Sequence, residues 1–331
     1  MKIAINGFGR IGRQFLQAAL EKGLKAEWVI NDLSSADNLA YLLKRDSIQK
    51  GKNIDVETKG NNLVVNKKII KVFNEKNIES LPWAKEKVDI VAECTGIFTK
   101  REDAEKHLKA GAKKVLISAP GKNTDVDIIY GINEKNLKPQ HKIISALSCT
   151  TNCVVPMAHI LNNNFKIEQA FMITVHAYTA DQKLVDTIHH KDWRRGRAAA
   201  YNIVPTTTGA AKCIGEAIPE LKGKVDGYAV RVPVLNGSYA SIIATLKKAA
   251  TIESINNAFK KAASKELKEI LEYTEEPIVS SDIIHNSKSC IFDALMTRVQ
   301  GNLVNICGWY DNEWGYSCRM VDVVKLISKK L

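Results

Sequence analysis

The opening run Lys2-Ile3-Ala4-Ile5-Asn6-Gly7-Phe8-Gly9-Arg10-Ile11-Gly12 constrains the fold more than any other stretch of the chain. Its first five residues are strand-like and apolar, Gly7 to Gly12 form a tight turn, and Arg13 to Lys22 carry a helical pattern that Gly23 ends. Ala26 to Ile30 read as a second strand that delivers Asn31-Asp32, an acid 20 residues past the last glycine. Three glycines between a strand and a helix, with that acid in place, predict a βαβ unit that binds a dinucleotide. Gly7 permits the turn, Gly9 lets the backbone approach a pyrophosphate, and Gly12 lets helix and strand pack, with the helix N-terminus facing the phosphates. Asp32 would accept hydrogen bonds from the adenosine ribose and repel a 2′-phosphate, so NAD is expected over NADP.

Further strands are expected at Val88–Cys94, Lys114–Ser118 and Lys142–Ser145, with a helix from Arg101 to Ala110. This alternation predicts an α/β half built on a doubly wound, mostly parallel Rossmann sheet. Thr95-Gly96 and Ser118 fall at strand ends, where such sheets place their ligand crevice. After residue 149 the strand-like runs lengthen: Gln169–Ala177, Lys224–Pro233, Ser238–Lys247, Ser289–Val299 and Leu303–Tyr310. Helical periods fall at Thr208–Ile218, Ile252–Glu272 and Trp314–Lys330. An α+β catalytic domain with a mixed or antiparallel sheet fits this half. The expected division is 1–148, completed by the C-terminal helix 313–331, and 149–312.

The 331 residues hold 48 Lys and Arg against 36 Asp and Glu, a surplus of 12 that favours acidic substrates or partners. Most lysines stand in mixed stretches that read as solvated helix faces, and the dense run Trp193-Arg194-Arg195-Gly196-Arg197 has no RNA-binding aromatic signature or zinc-finger spacing beside it. Nucleic acid is therefore not expected as the primary partner. Seven scattered cysteines point to reduced thiols and a cytoplasmic location, no run approaches a membrane span, and Met1-Lys2 leads straight into a strand with no signal peptide. His189-His190 lack a companion cluster, so no catalytic metal is expected.

The chemistry centres on Ser148-Cys149-Thr150-Thr151-Asn152-Cys153. A thiolate is the reactive form of cysteine, and a helix N-terminus or a nearby base helps it form. Val154 to Leu161 read as a helix, but Pro156 is at ease only in a first turn, which would start the helix nearer Val155. His176, at the end of a strand, is the candidate base, and as imidazolium it would stabilise a Cys149 thiolate. A thiolate beside bound NAD suits aldehyde oxidation through a hemithioacetal and a thioester. Thr206-Thr207-Thr208-Gly209-Ala210-Ala211 at a helix start, with Arg194 and Arg231, would bind anions, which suggests a phosphorylated substrate and a second anion as acyl acceptor.

Over essentially its whole length the chain resembles phosphorylating glyceraldehyde-3-phosphate dehydrogenases. The matching stretches are Ile5–Arg13, Glu93-Cys94-Thr95-Gly96, Ser118-Ala119-Pro120, Ser148–Cys153, Thr174–Thr179, Pro205–Lys212, Arg231-Val232-Pro233 and Trp309–Tyr316. The resemblance implies Cys149 as nucleophile and His176 as base. It places Arg10, Ile11, Asp32, Lys76, Ser118 and Asn312 against NAD, with Asn312 orienting the nicotinamide amide. It also implies Thr179 and Arg231 at the substrate phosphate, and Ser148, Thr150, Arg194, Thr208 and Gly209 at inorganic phosphate. Members are homotetramers, and Tyr178 to Tyr201 is similar to the loop that reaches a neighbour's cofactor.

One departure is Thr187-Ile188 after Asp186, where glycolytic members commonly carry a proline second and photosynthetic ones a serine. Ile188 has no hydroxyl for a 2′-phosphate, and Leu33 after Asp32 is glycolytic in character. Erythrose-4-phosphate dehydrogenase is the nearest enzymatic alternative, and a non-enzymatic nucleic-acid-binding role is the alternative of another class. The Thr179 and Thr207–Ala211 regions favour the triose enzyme over the first, and the filled catalytic positions weigh against the second.

Overall fold

A computed structural model describes residues 1–49 and 54–331. The described residues divide into two compact units, Met1–Ser148 with Ser317–Leu331, and Cys149–Tyr316.

The first unit begins with β1 (Lys2–Asn6), α1 (Arg10–Glu21) and β2 (Glu27–Asn31). There follow α2 (Ala36–Lys44), β3 (Val56–Lys59), β4 (Asn62–Val65), β5 (Lys68–Phe73), α3 (Trp83–Glu86), β6 (Ile90–Glu93), α4 (Arg101–Lys109), β7 (Lys114–Ile117), β8 (Val126–Asp127) and β9 (Ile143–Ser145). The strands form one sheet in the order β3-β4-β5-β2-β1-β6-β7-β9-β8. All pairs from β5 to β8 are parallel, while β3 and β4 add an antiparallel edge. β1, β6 and β7 are buried on both faces, which explains why they read as continuous apolar runs. The chain leaves β1 for β2 on one side and meets β6 on the other. The carboxyl ends of β1 and β6, at Asn6 and Glu93, therefore flank the switch point where such sheets bind ligands. α1 begins at Arg10, earlier than its apolar period suggests, so Ile11 and Gly12 lie in its first turn.

The second unit starts with α5 (Cys149–Phe165) and β10 (Ile167–Ala177), then β11 (Val204–Thr206), α6 (Ala210–Ala217), β12 (Val225–Val232), β13 (Ser238–Leu246) and α7 (Ile252–Ser264). β14 (Leu271–Thr274), β15 (Cys290–Asp293), β16 (Arg298–Gln300), β17 (Leu303–Tyr310) and α8 (Trp314–Ser328) complete the order. The mixed sheet runs β11-β12-β10-β13-β17-β15-β14, with β16 beside β17. Alternation decides its faces: Met172, Thr174 and His176 of β10 are buried, as are Ala240, Ile242 and Ala244 of β13, and α5 packs on that side. The other face carries Phe171, Ile173, Val175, Tyr239 and Ile243, all partly or fully exposed.

Four sequence expectations need correction. α5 begins at Cys149, not near Val155, and holds Pro156 in its interior. Proline removes one N–H from the ladder, but Val154, Val155, Met157 and Leu161 around it are buried, and that burial offsets the local loss. The expected strand Ser289–Val299 is broken because the Asp293 carboxylate accepts from Leu295 N at 3.1 Å and caps a 3₁₀ turn over Ala294–Met296. The helical period to Glu272 stops at Ser264, whose hydroxyl donates to Lys261 O at 3.0 Å, and Leu271 opens β14 instead. Finally, Trp314 stacks on His285 at 3.8 Å and belongs with the second unit, so the return to the first unit falls at Ser317 rather than at 313.

Candidate active site

In the first unit the glycine turn has the geometry its sequence implies. Gly7 has φ +89°, and a Cβ there would lie 2.8 Å from the Thr95 backbone nitrogen. A Cβ on Gly12 would lie 2.2 Å from Gly7 O, so the third glycine is what lets α1 approach the turn. At Gly9 a Cβ would meet nothing within 4 Å, and Gly9 is exposed just ahead of the first turn of α1. That is a cradle suited to a pyrophosphate. Asp32 follows β2 and accepts from Phe8 N at 2.7 Å and Ser34 N at 2.9 Å, so the ribose acid also clamps the turn. Arg10 is ion-paired with Asp46 at 2.5 Å. Lys76 is exposed three residues past β5, and Asn74 ties that end to Asp32 O at 2.8 Å. These residues fit NAD. Leu33 and Ile188 are exposed and offer no hydrogen-bond donor for a 2′-phosphate. A separate cavity of about 850 Å³ opens at the opposite strand ends, near Lys2 and Glu27, away from these groups.

Beneath the turn lies a polar network that sequence reasoning missed. The buried Glu93 carboxylate accepts from Asn6 Nδ2 at 2.6 Å and Thr95 N at 2.8 Å, and from the Thr95 hydroxyl. Trp83 Nε1 donates to His107 Nδ1 at 3.0 Å, which leaves the proton of neutral His107 on Nε2, 3.0 Å from Glu93. Four donors on one buried carboxylate fix the Thr95-Gly96 end of β6 against the turn. Ser118 N donates to Glu93 O at 3.0 Å and brings the end of β7 to the same place. Burial pushes the neighbouring Cys94 thiol well above its ordinary range, and the Glu93 charge adds to this.

In the second unit Cys149 is the first residue of α5, reached through Leu147, whose φ of +57° turns the chain into the helix. Its Sγ lies 3.4 Å from His176 Nε2. His176 Nδ1 lies 2.6 Å from Ala177 O, and a carbonyl can only accept, so the Nδ1 proton points there and Nε2 presents a lone pair to the sulfur. Arg231 NH1 stands 3.0 Å from the same ring nitrogen and donates to Ala177 O at 3.0 Å and Thr179 Oγ1 at 3.3 Å. Burial, then the Arg231 charge, push the imidazole down to about 3. Burial also pushes the Cys149 thiol up, against the pull of Arg231 and Thr150. Both shifts weigh against the thiolate–imidazolium ion pair expected from the sequence.

Thr174 Oγ1 donates to Tyr239 O at 3.0 Å, so Tyr310 OH, 2.8 Å away, donates to Thr174 and accepts from Thr150 at 2.9 Å. The Thr150 hydroxyl, expected at inorganic phosphate, is committed to Tyr310 instead. Ser238 Oγ accepts from Ala177 N at 3.1 Å and donates to Asn312 Oδ1 at 2.8 Å, and Gly237 N donates to that oxygen at 3.1 Å. Two donors identify the atom as the amide oxygen and turn the Asn312 NH₂ end away from this anchor.

The arginines part company. Arg194 is exposed and lines a hollow of about 500 Å³ with Asp192, Thr206, Thr207 and Tyr228. Arg195 Nε instead donates to Thr206 Oγ1 at 2.8 Å and its NH2 to Thr207 O at 3.2 Å; burial lowers the pKa of Arg231, and the Arg195 charge adds to this. Both arginines thus border the threonine run, but Arg195 is the one hydrogen-bonded to it and acting on Arg231. Arg231 Nε is buried without a partner among the described residues, a donor aimed at no protein acceptor. Thr208 Oγ1 accepts from Ala210 N at 3.2 Å, and Gly209 is exposed at the start of α6. Ser148 is partly exposed, one residue before α5.

Comparison with known proteins agrees with this geometry. Residues 1–101 match the family profile "Glyceraldehyde 3-phosphate dehydrogenase, NAD binding domain", and residues 148–312 match "Glyceraldehyde 3-phosphate dehydrogenase, C-terminal domain". The chain is 51% identical to glyceraldehyde-3-phosphate dehydrogenase 2 of Streptomyces avermitilis over 100% of this chain and 99% of that one. It is equally similar, 51% over the same shares, to the glyceraldehyde-3-phosphate dehydrogenases of Priestia megaterium and Geobacillus stearothermophilus.

Proposed function

The chain belongs to the glyceraldehyde-3-phosphate dehydrogenase family, and from that premise we propose how its residues divide the work. The reaction is the reversible, NAD-dependent oxidative phosphorylation of D-glyceraldehyde 3-phosphate to 1,3-bisphosphoglycerate. Cys149 adds to the aldehyde carbon while its proton passes to His176 Nε2. The imidazolium gives that proton to the former aldehyde oxygen, and the imidazole, neutral again, takes the hydroxyl proton of the hemithioacetal back as the carbon loses hydride and becomes a thioester, from which inorganic phosphate releases the acyl group. Bound NAD supplies the hydride acceptor. Gly7, Gly9, Arg10, Ile11, Gly12 and Asp32 hold its adenosine diphosphate part, Lys76, Thr95, Gly96 and Ser118 line the same crevice, and Asn312 presents its NH₂ end to the carboxamide. Thr179 and Arg231 bind the substrate phosphate. Arg195, with Ser148, Thr208 and Gly209, binds inorganic phosphate.

The observation that carries this reading is the 3.4 Å contact between Cys149 Sγ and His176 Nε2. Purified chain, NAD, phosphate and glyceraldehyde 3-phosphate should produce NADH at a rate that rises with phosphate. Phosphate-independent turnover would replace the acyl-phosphate product with a hydrolytic one. Erythrose 4-phosphate run in parallel separates the tetrose alternative.

The exposed face of the mixed sheet supports a homotetramer. Val175, Tyr239, Val279, Leu295, Met296 and Trp309 line an apolar hollow of about 650 Å³ there, larger than isolated surface residues require. Sedimentation equilibrium measures the assembly. None of the seven cysteines is in a disulfide, which supports the reducing cytoplasm, and no described helix is long and apolar enough to cross a membrane. The basic run at 193–197 reads poorly as a nucleic-acid patch, because Arg195 pairs with Asp181 at 2.7 Å and Arg197 with Asp186 at 2.9 Å.

A further inference from the structure

The cavity at the amino ends of β1, β2 and β5 belongs to no part of the cofactor or catalytic machinery. Its volume of about 850 Å³ falls within the range of about 300–1,000 Å³ that small-molecule pockets occupy. Leu20, Leu24, Trp28, Val65, Ile69 and Ile70 form its apolar walls. Phe15 of α1 braces the Trp28 indole edge-on, with ring centroids 5.7 Å apart. Ile69 is 56% exposed although it stands in β5, an interior strand of the sheet, and a ligand seated here would cover it. Lys22 N, Leu24 N and Gly23 N close on Ala18 O, Ala19 O and Leu20 O, with Gly23 at φ +63°, so these carbonyls at the end of α1 are already taken.

The charged groups around these walls do not balance. Lys2 reaches Glu27 at 3.3 Å and Glu86 at 3.5 Å, and Lys71 pairs with Glu86 at 2.6 Å. Two lysines thus satisfy both carboxylates of the lining. Lys25, between α1 and β2, and Lys68, the first residue of β5, also line the cavity, are exposed, and enter no ion pair among the described residues. Four lysines against two glutamates leave a surplus of two positive charges beside an apolar hollow.

We propose that this cavity binds an amphipathic anion, its aliphatic chain against the apolar walls and its carboxylate or phosphate head held by Lys25 and Lys68. The chain gains by leaving water, and the head gains charge-assisted hydrogen bonds from two ammonium groups that have no protein acceptor. A neutral chain forgoes the second contribution, and a cationic one meets the surplus lysines. The glycine turn lies at the carboxyl ends of the same parallel strands, so this ligand and NAD do not compete.

The test uses the full chain saturated with NAD, which keeps the probes out of the cofactor crevice. Decanoate, decyl phosphate and decanol, each below its micelle-forming concentration, are titrated by calorimetry and by tryptophan fluorescence. The anions should bind at one per chain, the tighter of the two identifying the head group, and decanol should bind at least about fivefold more weakly than that anion. Lys25→Gln combined with Lys68→Gln should remove this preference while NADH formation stays unchanged. Ile69→Glu should weaken the anions by about tenfold or more, because a carboxylate then replaces part of the wall and repels the head. These three positions are exposed, so melts equal to the parent's are expected of both variants. Trp28→Phe should abolish the fluorescence response while calorimetry still registers binding. Absence of a saturable site, decanol binding as tightly as both anions, a preference that survives loss of both lysines, or a fluorescence response that survives Trp28→Phe would each overturn the assignment.

Discussion

The imidazole of His176 is oriented by a carbonyl one residue along its own strand: Nδ1 stands 2.6 Å from Ala177 O, and this turns Nε2 to the Cys149 sulfur at 3.4 Å. The base is thus aimed by backbone rather than by a third acidic side chain. His176→Asn keeps a polar group of similar size but cannot take the sulfur's proton. We expect kcat to fall by roughly 10²–10⁴-fold with NAD affinity unchanged, measured by steady-state NADH formation and NAD titration. An equal loss of NAD affinity would mean that the substitution disturbs more than proton transfer.

Gly9 and Gly12 separate binding from folding. At Gly9 a methyl group meets nothing within 4 Å and φ is −71°, so Gly9→Ala should melt with the parent while weakening NAD by about tenfold or more, because the methyl stands where a pyrophosphate must approach. Gly12→Ala drives a Cβ to 2.2 Å from Gly7 O and should lower the melting temperature as well. Calorimetric NAD titration beside thermal melts distinguishes the two, and identical behaviour of both variants would refute the division of roles.

Asp46 gives the first unit a pH dependence with a definite sign. Burial pushes its carboxyl up, but the Arg10 ion pair and the amides of Ile48 and Gln49 outweigh that and hold it below the ordinary value of 3.8. A carboxyl lower in the folded than in the unfolded chain contributes stability that is complete above the unfolded value and is lost as pH falls through the folded one. Asp46→Asn should therefore destabilise by about 1.5–3 kcal/mol at neutral pH, and the gap to the parent should close as pH falls below 3.8. Melting curves at the two pH values read this directly, and a gap that persists in acid would point to a packing defect instead.

What the sequence made legible was local. Gly7, Gly12 and Asp32 act within one strand-turn-helix-strand unit, so their spacing alone carries the geometry. The antiparallel edge was missed although Asn66 and Lys67, with φ +49° and +64°, form the hairpin turn between β4 and β5. An asparagine was the one signal there, and the lysine beside it hid the turn. Pro156 misled because its penalty is local while the burial that offsets it is tertiary. Glu93 was invisible as a hub, since its donors Asn6, Thr95 and His107 are brought together only by the parallel sheet and α4. Arg194 and Arg195 are chemically identical neighbours, and only the 3₁₀ turn Trp193–Gly196 decides which one hydrogen-bonds Thr206.

That last distinction yields a test of the anion assignments. Arg195 donates to Thr206 Oγ1 and Thr207 O and pairs with Asp181, whereas Arg194 is exposed over the hollow that Thr206, Thr207 and Tyr228 line. Arg195→Leu should raise the KM for inorganic phosphate by about tenfold or more, the scale of one or two charge-assisted hydrogen bonds, while Arg194→Leu stays within about twofold of the parent. Arg231→Leu should instead raise the KM for glyceraldehyde 3-phosphate by a similar factor. Initial rates with each substrate varied in turn discriminate the three. A phosphate defect that follows Arg194 would move the acyl-acceptor pocket to the hollow beside Tyr228.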